Sequence, residues 1–337
     1  MTPNADATPQ LHRERALALL RGAERFVLCG HVRPDGDCLG AQTALCGVLE
    51  RLGKQVWIYN SEPLPPQLDY LAQGTVFRVY DRGALPEHDV SVMLDFCELG
   101  RTGPLEPALA AARSKKLVID HHLFHGAPWW DFAYVDPTAS ATGLLVRRIA
   151  RELDVPLDPR IALGVYTSIV TDTGWFKYSN TDAETFATAS ELVAAGVEPA
   201  KLFNAIYQRN SRAQPLGVAR ALSRLEYFGD GRIAVIDLPH AKNGEADLPD
   251  GDDVLDLLRA VRRVEVVLFF RELKDGTVKL SARSKTDFDV NQLARAFGGG
   301  GHAKASGATL PGPLAEVRQR VTAGALARLI PDAAGAR

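Results

Sequence analysis

The chain predicts two α/β domains, an N-terminal one on a mainly parallel sheet and a smaller C-terminal one, and three observations carry that expectation. Short apolar runs alternate with helical patterns over the first half, as strands joined by helical crossovers do. The pattern changes after Gly196. A length of 337 residues with 46% hydrophobic content is enough for two separate cores.

Residues 1–10 are polar with two prolines and read as a disordered terminus. A helical pattern runs from Leu11 to Arg21. Phe26–Gly30 is a short apolar run that reads as a buried parallel strand, opening directly into the loop His31–Asp37. Leu39–Leu52 reads as a helix and Gln55–Tyr59 as a second strand. Similar runs at Val90–Leu94 and Lys116–Ile119 end in polar or charged residues. Helical patterns fill Pro104–Arg113, Ala141–Arg151, Arg160–Val170 and Ala183–Ala195. Beyond Gly196, Pro199–Gln208 reads as a helix and Asn210–Pro215 as polar connecting chain. Strand signals recur at Arg232–Leu238, Glu265–Arg271 and Thr277–Ser284, with a turn at Lys274-Asp275-Gly276. A helix over Val290–Phe297, a glycine run and a last helix over Leu314–Leu329 complete the chain. The organisation is thus a first domain over 11–196, a linker over 197–215 and a second domain over 216–330.

Composition excludes several classes. No apolar run approaches the roughly 18 residues of a membrane helix, and the N-terminus lacks the basic start and apolar block of a signal peptide, so a cytoplasmic location is expected. Cys29, Cys38, Cys46 and Cys97 form no C-x-x-C pair and read as buried free thiols. The net charge of −2 argues against a basic coat for nonspecific nucleic-acid binding. Asp and Glu outnumber Lys and Arg by 25 to 20 up to Arg209, and the order reverses to 16 against 19 from Asn210.

Acidic and histidine residues stand where the apolar runs stop, and ligands of open α/β sheets gather at the carboxyl ends of strands. The first such segment is His31-Val32-Arg33-Pro34-Asp35-Gly36-Asp37, where Pro34 and Gly36 set a turn. Two carboxylates that close repel unless a cation lies between them; a polar turn with a helix cap is the competing reading. Asp95 ends Val92–Leu94, with Arg101 six residues on. Asp95 reads as a ligand or a loop cap, and Arg101 as a phosphate binder or a surface residue. Val118-Ile119-Asp120-His121-His122 is an apolar strand ending in a carboxylate and two imidazoles. Adjacent histidines point in different directions, so one can ligate metal while the other faces substrate, and Asp120 can orient a histidine from behind. Asp172 lies at the end of the helical pattern from Arg160, where the helix dipole disfavours a carboxylate; a ligand role explains it. Asp136–Thr142 reads as the cap of the following helix. Finally, Gly298–Gly301 with His302 and Lys304 bares backbone N–H groups to an anion; a flexible linker is the alternative.

Oxygen and imidazole donors without cysteine point to manganese or magnesium. Four aspartates (Asp35, Asp37, Asp95, Asp172) and two histidines (His31, His121) are too many for one small ion. They suit two ions about 4 Å apart that share a carboxylate and clamp the oxygens of a phosphoester.

In this order the motifs resemble the DHH phosphoesterase family, whose name matches Asp120-His121-His122, from His12 to Ile330. The nearest likeness is to its two-domain subfamily of short-oligonucleotide nucleases and 3′-phosphoadenosine-5′-phosphate phosphatases (NrnA type), whose DHH-associated C-terminal domain carries a GGGH run, here Gly299–His302. The resemblance implies that His31, Asp35 and Asp95 hold one manganese and that Asp37, Asp95, His121 and Asp172 hold the other. It implies that His122 faces the scissile phosphate. It also implies that Arg283, Gly299, Gly300, Gly301 and His302 bind the terminal phosphate or nucleotide, in a cleft between the domains that measures substrate length. Ala41, Arg33 and His125 depart from the family pattern, Ala41 where a small hydroxyl residue is usual. Arg33 and His125 put specificity, rather than chemistry, in doubt.

The implied function is a manganese-dependent phosphoesterase that degrades very short single-stranded RNA to mononucleotides and converts 3′-phosphoadenosine 5′-phosphate (pAp) to AMP. Phosphodiester cleavage of c-di-AMP or pApA is the close alternative, and a noncatalytic nucleotide-binding regulator the alternative of another class. A RecJ-like exonuclease and an inorganic pyrophosphatase fit less well, the first for want of room for an OB-fold, the second because of the glycine-rich second domain. The oligomeric state stays open, a homodimer included.

Overall fold

In the computed structural model, which describes residues 9–124, 126–209, 211–240 and 251–329, the apolar runs of the first unit become six parallel strands. They are β1 (Arg25–Cys29), β2 (Gln55–Asn60), β3 (Phe77–Val79), β4 (Val90–Leu94), β5 (Lys115–Asp120) and β6 (Phe132–Val135), in the order β3-β2-β1-β4-β5-β6. The order reverses direction between β1 and β4, which opens a crevice at the carboxyl ends of these two strands. Cys29 pairs with Met93 and Leu94 with Ile119, so β1, β4 and β5 end nearly level. His31, Asp95 and His121 step off adjacent strand ends.

The short strands β3 and β6 were not anticipated. Both lie at sheet edges, and three or four residues are too few to display a period. His125, one of the family departures, lies outside the described residues.

The helices of this unit are α1 (Pro9–Gly22), α2 (Gly36–Arg51), α3 (Glu106–Ala111), α4 (Thr142–Glu152), α5 (Pro159–Asp172), α6 (Ala183–Ala194) and α7 (Pro199–Tyr207). The helix expected over Pro104–Arg113 is shorter, Glu106–Ala111, and is preceded by a 3₁₀ segment at Leu99–Leu105 that is itself broken at Gly103 (φ 58°, ψ −126°). Helix α2 starts at Gly36 rather than Leu39, which brings Asp37 into its first turn. It is buried from Gly36 to Leu49, as a helix apolar on all sides must be. Its backbone lies directly against α5: a Cβ on Gly40 would come within 2.5 Å of the Gly164 carbonyl oxygen, and one on Gly164 within 2.6 Å of the Gly40 oxygen. A Cβ on Gly36 would strike Thr171, so the first turn of α2 meets the last turn of α5. That contact sets Asp37 beside Asp172.

Among the described residues, those up to Arg209 form one compact unit and those from Ser211 a second. The second contains α8 (Gln214–Leu222), β7 (Glu226–Phe228), β8 (Ile233–Leu238), α9 (Gly251–Arg259), β9 (Val266–Glu272), β10 (Val278–Ser284), α10 (Val290–Arg295), β11 (Gly300–His302), β12 (Ala305–Leu310) and α11 (Leu314–Leu326). Helix α8 begins inside the stretch expected to be polar connecting chain; Pro215, in its first turn, needs no N–H partner there. The sheet runs β11-β12-β10-β9-β8-β7, antiparallel except for β8 against β9. Leu280 and Ala282 of β10 share one apolar cluster with α10 and α11, whereas Ala234, Ile236, Val267 and Phe269 share another with α8 and α9.

Candidate metal centre

The turn after β1 is held by its backbone. The Gly30 N–H donates to Asn60 Oδ1 at 2.9 Å, inside a buried pair of amides in which Asn60 and Gln42 exchange hydrogen bonds. The Val32 N–H donates to the Arg101 carbonyl at 2.7 Å. Asp35 caps α2, accepting from the Cys38 N–H at 3.1 Å, and its side chain is largely exposed. Asp37, two residues on, is buried. The turn thus separates the two carboxylates.

Asp37 also does what the Asp136–Thr142 segment was expected to do. Ala141 occupies the N-cap of α4 and offers no side-chain acceptor. The α4 N–H groups of Thr142 and Gly143 donate instead to the two oxygens of Asp37, at 2.9 and 3.3 Å, and Ser168 Oγ donates to it as well. The positive end of α4 thereby stabilises a buried anion. Asp136 itself pairs with Arg13 and Arg148. Local reading could not find this cap, since Asp37 and Thr142 are 105 residues apart.

Asp95 has a left-handed backbone, φ 72°, a conformation disfavoured for any residue with a side chain and concentrated at functional sites. Thr142 Oγ1 donates to its Oδ1 at 3.0 Å. Its Oδ2 lies 3.4 Å from His31 Nε2, and its Oδ1 lies 3.6 Å from His121 Nε2.

Both imidazoles are oriented from behind. His31 Nδ1 is 2.9 Å from the Val32 carbonyl and His121 Nδ1 is 3.1 Å from the Ala139 carbonyl. A carbonyl accepts only, so in the neutral ring the proton sits on Nδ1 and Nε2 keeps a lone pair. Among the described residues, the buried His121 Nε2 has no hydrogen-bond partner. It faces Asp37 Oδ2 at 3.3 Å, Asp95 Oδ1 at 3.6 Å and Asp172 Oδ2 at 3.7 Å. A lone pair among three carboxylates is repelled unless a proton or a metal cation lies between them. Three groups of donors have their atoms within 4.8 Å of one another: His31 with Asp35 and Asp95, Asp37 with His121 and Asp172, and Asp95 with His121 and His122. Asp95 extends one oxygen toward each histidine. This donor set fits two divalent ions.

The electrostatics agree. Burial, then the charges of Asp37 and Asp35, hold the Asp95 carboxyl well above the usual carboxylate range. Burial, then the charge of Asp37, pushes Asp172 up to about 7. Without cations these groups retain protons; divalent ions ionise them. The nearby thiols are no competitors: burial pushes Cys38 well up, and its Sγ hydrogen bonds to the Leu94 carbonyl.

His122 is the member of the third group that is held from behind by a carboxylate, although its Nδ1 also lies 3.6 Å from Asp95 Oδ1. Asp120 Oδ1 lies 2.8 Å from its Nδ1 and accepts its backbone N–H at 3.1 Å. Cys97 Sγ donates to the other Asp120 oxygen at 2.9 Å. The Asp120 hydrogen bond raises the His122 pKa above its ordinary value. Asp120 therefore orients His122, while the Ala139 carbonyl orients His121.

Thr142, Ser168, Asn180 and Cys97 were not foreseen. Ser168 was detectable, since it stands four residues before Asp172 on the same face of an otherwise apolar helix. Asn180 Nδ2 holds Asp172 Oδ2 at 3.1 Å and the Asp172 carbonyl at 3.3 Å, an approach made by a turn no local pattern announced.

Of the residues expected to bind substrate, Arg101 is exposed beside the His31 turn. The rest belong to the second unit. Arg283 on β10 is opposite Ala305 on β12, which is opposite His302 on β11. The His302 side chain lies outside the description. Gly300 and Gly301 form part of an edge strand opposite Gly307 and Ser306. A Cβ on Gly299 would come within 2.1 Å of the Gly307 oxygen, so glycine there serves close approach of two chain segments.

Residues 25–169 match the family model described as DHH family, N-terminal domain, and residues 244–328 match the DHHA1 domain. The bifunctional oligoribonuclease and PAP phosphatase NrnA of Thermus thermophilus is 32% identical over 84% of this chain and 83% of its own. That of Bacillus subtilis is 26% identical over 85% and 90%. Among solved structures, an exopolyphosphatase-related protein from Bacteroides fragilis superposes with a TM-score of 0.85 at 28% identity, covering 94% of this chain and 96% of that one.

Proposed function

The chain belongs to the DHH family of phosphoesterases, and from that premise we propose that it degrades very short oligoribonucleotides to mononucleotides and dephosphorylates pAp to AMP. One observation carries the metal dependence of this reading: the orphaned Nε2 of His121 faces three carboxylates, one of which, Asp95, reaches toward His31 as well. His31, Asp35 and Asp95 would hold one ion, and Asp37, Asp95, His121 and Asp172 the other. Oxygen and imidazole donors favour manganese, with magnesium the second choice. Two divalent ions held there would neutralise the four carboxylates and would supply water acidic enough to act as a nucleophile at neutral pH.

The chain's own residues supply the rest. Asp120 keeps His122 oriented and favours its protonated form. His122 then stabilises charge on the phosphoryl oxygens or gives its proton to the leaving ester oxygen. In the net reaction the oxygen of water bonds to phosphorus, the P–O ester bond breaks, and the freed sugar oxygen takes a proton. Arg101, Arg283, Gly299, Gly300, Gly301 and His302 would bind the nucleotide. A cytoplasmic location accompanies this reading, because short RNA and pAp arise there; among the described residues no helix is long and apolar enough to cross a membrane.

The test is a substrate panel with manganese and after chelation: pAp, RNA of two to about ten nucleotides, the DNA equivalents, c-di-AMP and pyrophosphate. Turnover of pAp and the shortest RNA, lost on chelation, is the expected result. Preference for c-di-AMP selects the dinucleotide alternative, and hydrolysis of pyrophosphate alone overturns the proposal.

A further inference from the structure

Arg33 stands between two residues of the metal centre, His31 and Asp35, and nothing so far gives it a task. Its backbone is left-handed, φ 55°, an unfavourable conformation for a long side chain. The turn is nevertheless pinned on both sides: the Arg33 N–H donates to Glu62 Oε2 at 2.8 Å and the Val32 N–H to the Arg101 carbonyl at 2.7 Å. The side chain is exposed. Among the described residues its guanidinium makes no hydrogen bond or ion pair, although Asp35 and Asp37 share its turn. A cation beside a cluster of carboxylates, paired with none of them, is a group left over for something else.

Charge arithmetic says what. Asp35, Asp37, Asp95 and Asp172 carry four negative charges, and two divalent ions carry four positive ones. The centre so occupied is close to neutral, so its carboxylates leave no net charge to hold the guanidinium of Arg33, which stands two residues along the chain from both His31 and Asp35. Arg101, also exposed, is tied to the same turn through its carbonyl.

We infer that Arg33 is a specificity residue whose guanidinium takes a second phosphate of the substrate, the one that is not cleaved. This rests on the phosphoesterase reading above. The ligand class is a nucleotide bearing two phosphates, such as a nucleoside 3′,5′-bisphosphate, and a guanidinium fork matches a phosphate in shape as well as charge.

The test compares adenosine 3′,5′-bisphosphate with adenosine 3′-monophosphate, which differ only in the 5′-phosphate. Arg33→Asn is the informative variant, since Asn tolerates the left-handed backbone and removes the guanidinium; Arg33→Lys keeps the charge without the fork. Wild-type protein is expected to prefer the bisphosphate. In Arg33→Asn the ratio of the two kcat/KM values falls at least about tenfold, the worth of one charge-assisted hydrogen bond, with the loss in KM and manganese stoichiometry kept. Arg33→Lys loses less. An equal loss on both substrates, or an unchanged ratio, overturns the inference while leaving the phosphoesterase reading intact. Turnover of neither substrate by wild-type protein overturns that reading and the inference together.

Discussion

The two ends of the first sheet both collect polar groups, and they treat them in opposite ways. At the amino end, Lys116 Nζ donates to the Ala112 and Ser114 carbonyls and to Ser114 Oγ. Asp89 accepts from the Glu24 and Arg25 N–H groups and from the Arg25 guanidinium. His88 sits between the Pro86 carbonyl and Ser91 Oγ. Each of these groups has a partner of complementary sign or hydrogen-bonding sense. At the carboxyl end, carboxylates face carboxylates, an imidazole lone pair faces three of them, and Asp95 is held left-handed. Burial is similar at Lys116 and His31, so it does not separate a structural cluster from a functional one. What separates them is whether the protein satisfies its own groups.

Four experiments can break or sharpen that contrast. The largest effect is expected from Asp95→Asn, which keeps a residue tolerant of the left-handed backbone and removes the shared charge. Phosphoesterase activity should fall about a thousandfold or more, with loss of bound manganese measured by metal analysis. Retained activity with full metal content would remove the shared carboxylate from the account. Next comes His122→Ala: kcat should drop by about 10²–10⁴ while equilibrium dialysis still finds manganese bound, because this imidazole belongs to Asp120.

Lys116→Met probes the other end. It leaves two carbonyls without their donor, and urea unfolding should show a loss of about 2 kcal/mol, with kcat/KM within about twofold of wild type. A severe loss of turnover here would erase the distinction between the two ends. The smallest effect concerns pH. Asp172 titrates at about 7 in the folded metal-free protein against an ordinary 3.8, so the folded state holds that proton more tightly than the unfolded chain does. The resulting stabilisation is complete below about 3.8 and is lost as pH rises through about 7. Asp95 shifts the same way. The melting temperature of chelated protein should therefore decline by a few degrees relative to an Asp172→Asn variant over that window, and manganese should abolish the decline. Parallel melting profiles for the two chelated proteins would count against crowded, cation-seeking carboxylates.

Legibility differed between strand ends and their surroundings. Val90–Leu94 followed by Asp95, and Val118–Ile119 followed by Asp120-His121-His122, were readable because a buried parallel strand is an uninterrupted apolar run and its sudden polar end is local information. Asp172 was readable for a related reason, being a carboxylate at the wrong end of a helix. The cap of α4 was misread because Asp136–Thr142 contains good capping residue types, whereas the acceptor used, Asp37, is distant in the chain. Thr142 looked like a cap for the same reason and instead bonds Asp95. The pairing of the glycine run with Ser306 and Gly307 was not readable, because four glycines carry no strand pattern.

By itself, then, the chain determined its two α/β cores, the strand ends where chemistry could gather and the types of donor gathered there, since each follows from which neighbouring residues are apolar. The tertiary structure alone decided that β1 lies beside β4, that Gly40 and Gly164 let α2 press on α5 and bring Asp37 to Asp172, and that backbone carbonyls turn the lone pairs of His31 and His121 inward. Those outcomes depend on contacts between residues scores of positions apart, and no local pattern can encode which distant backbone a side chain will meet.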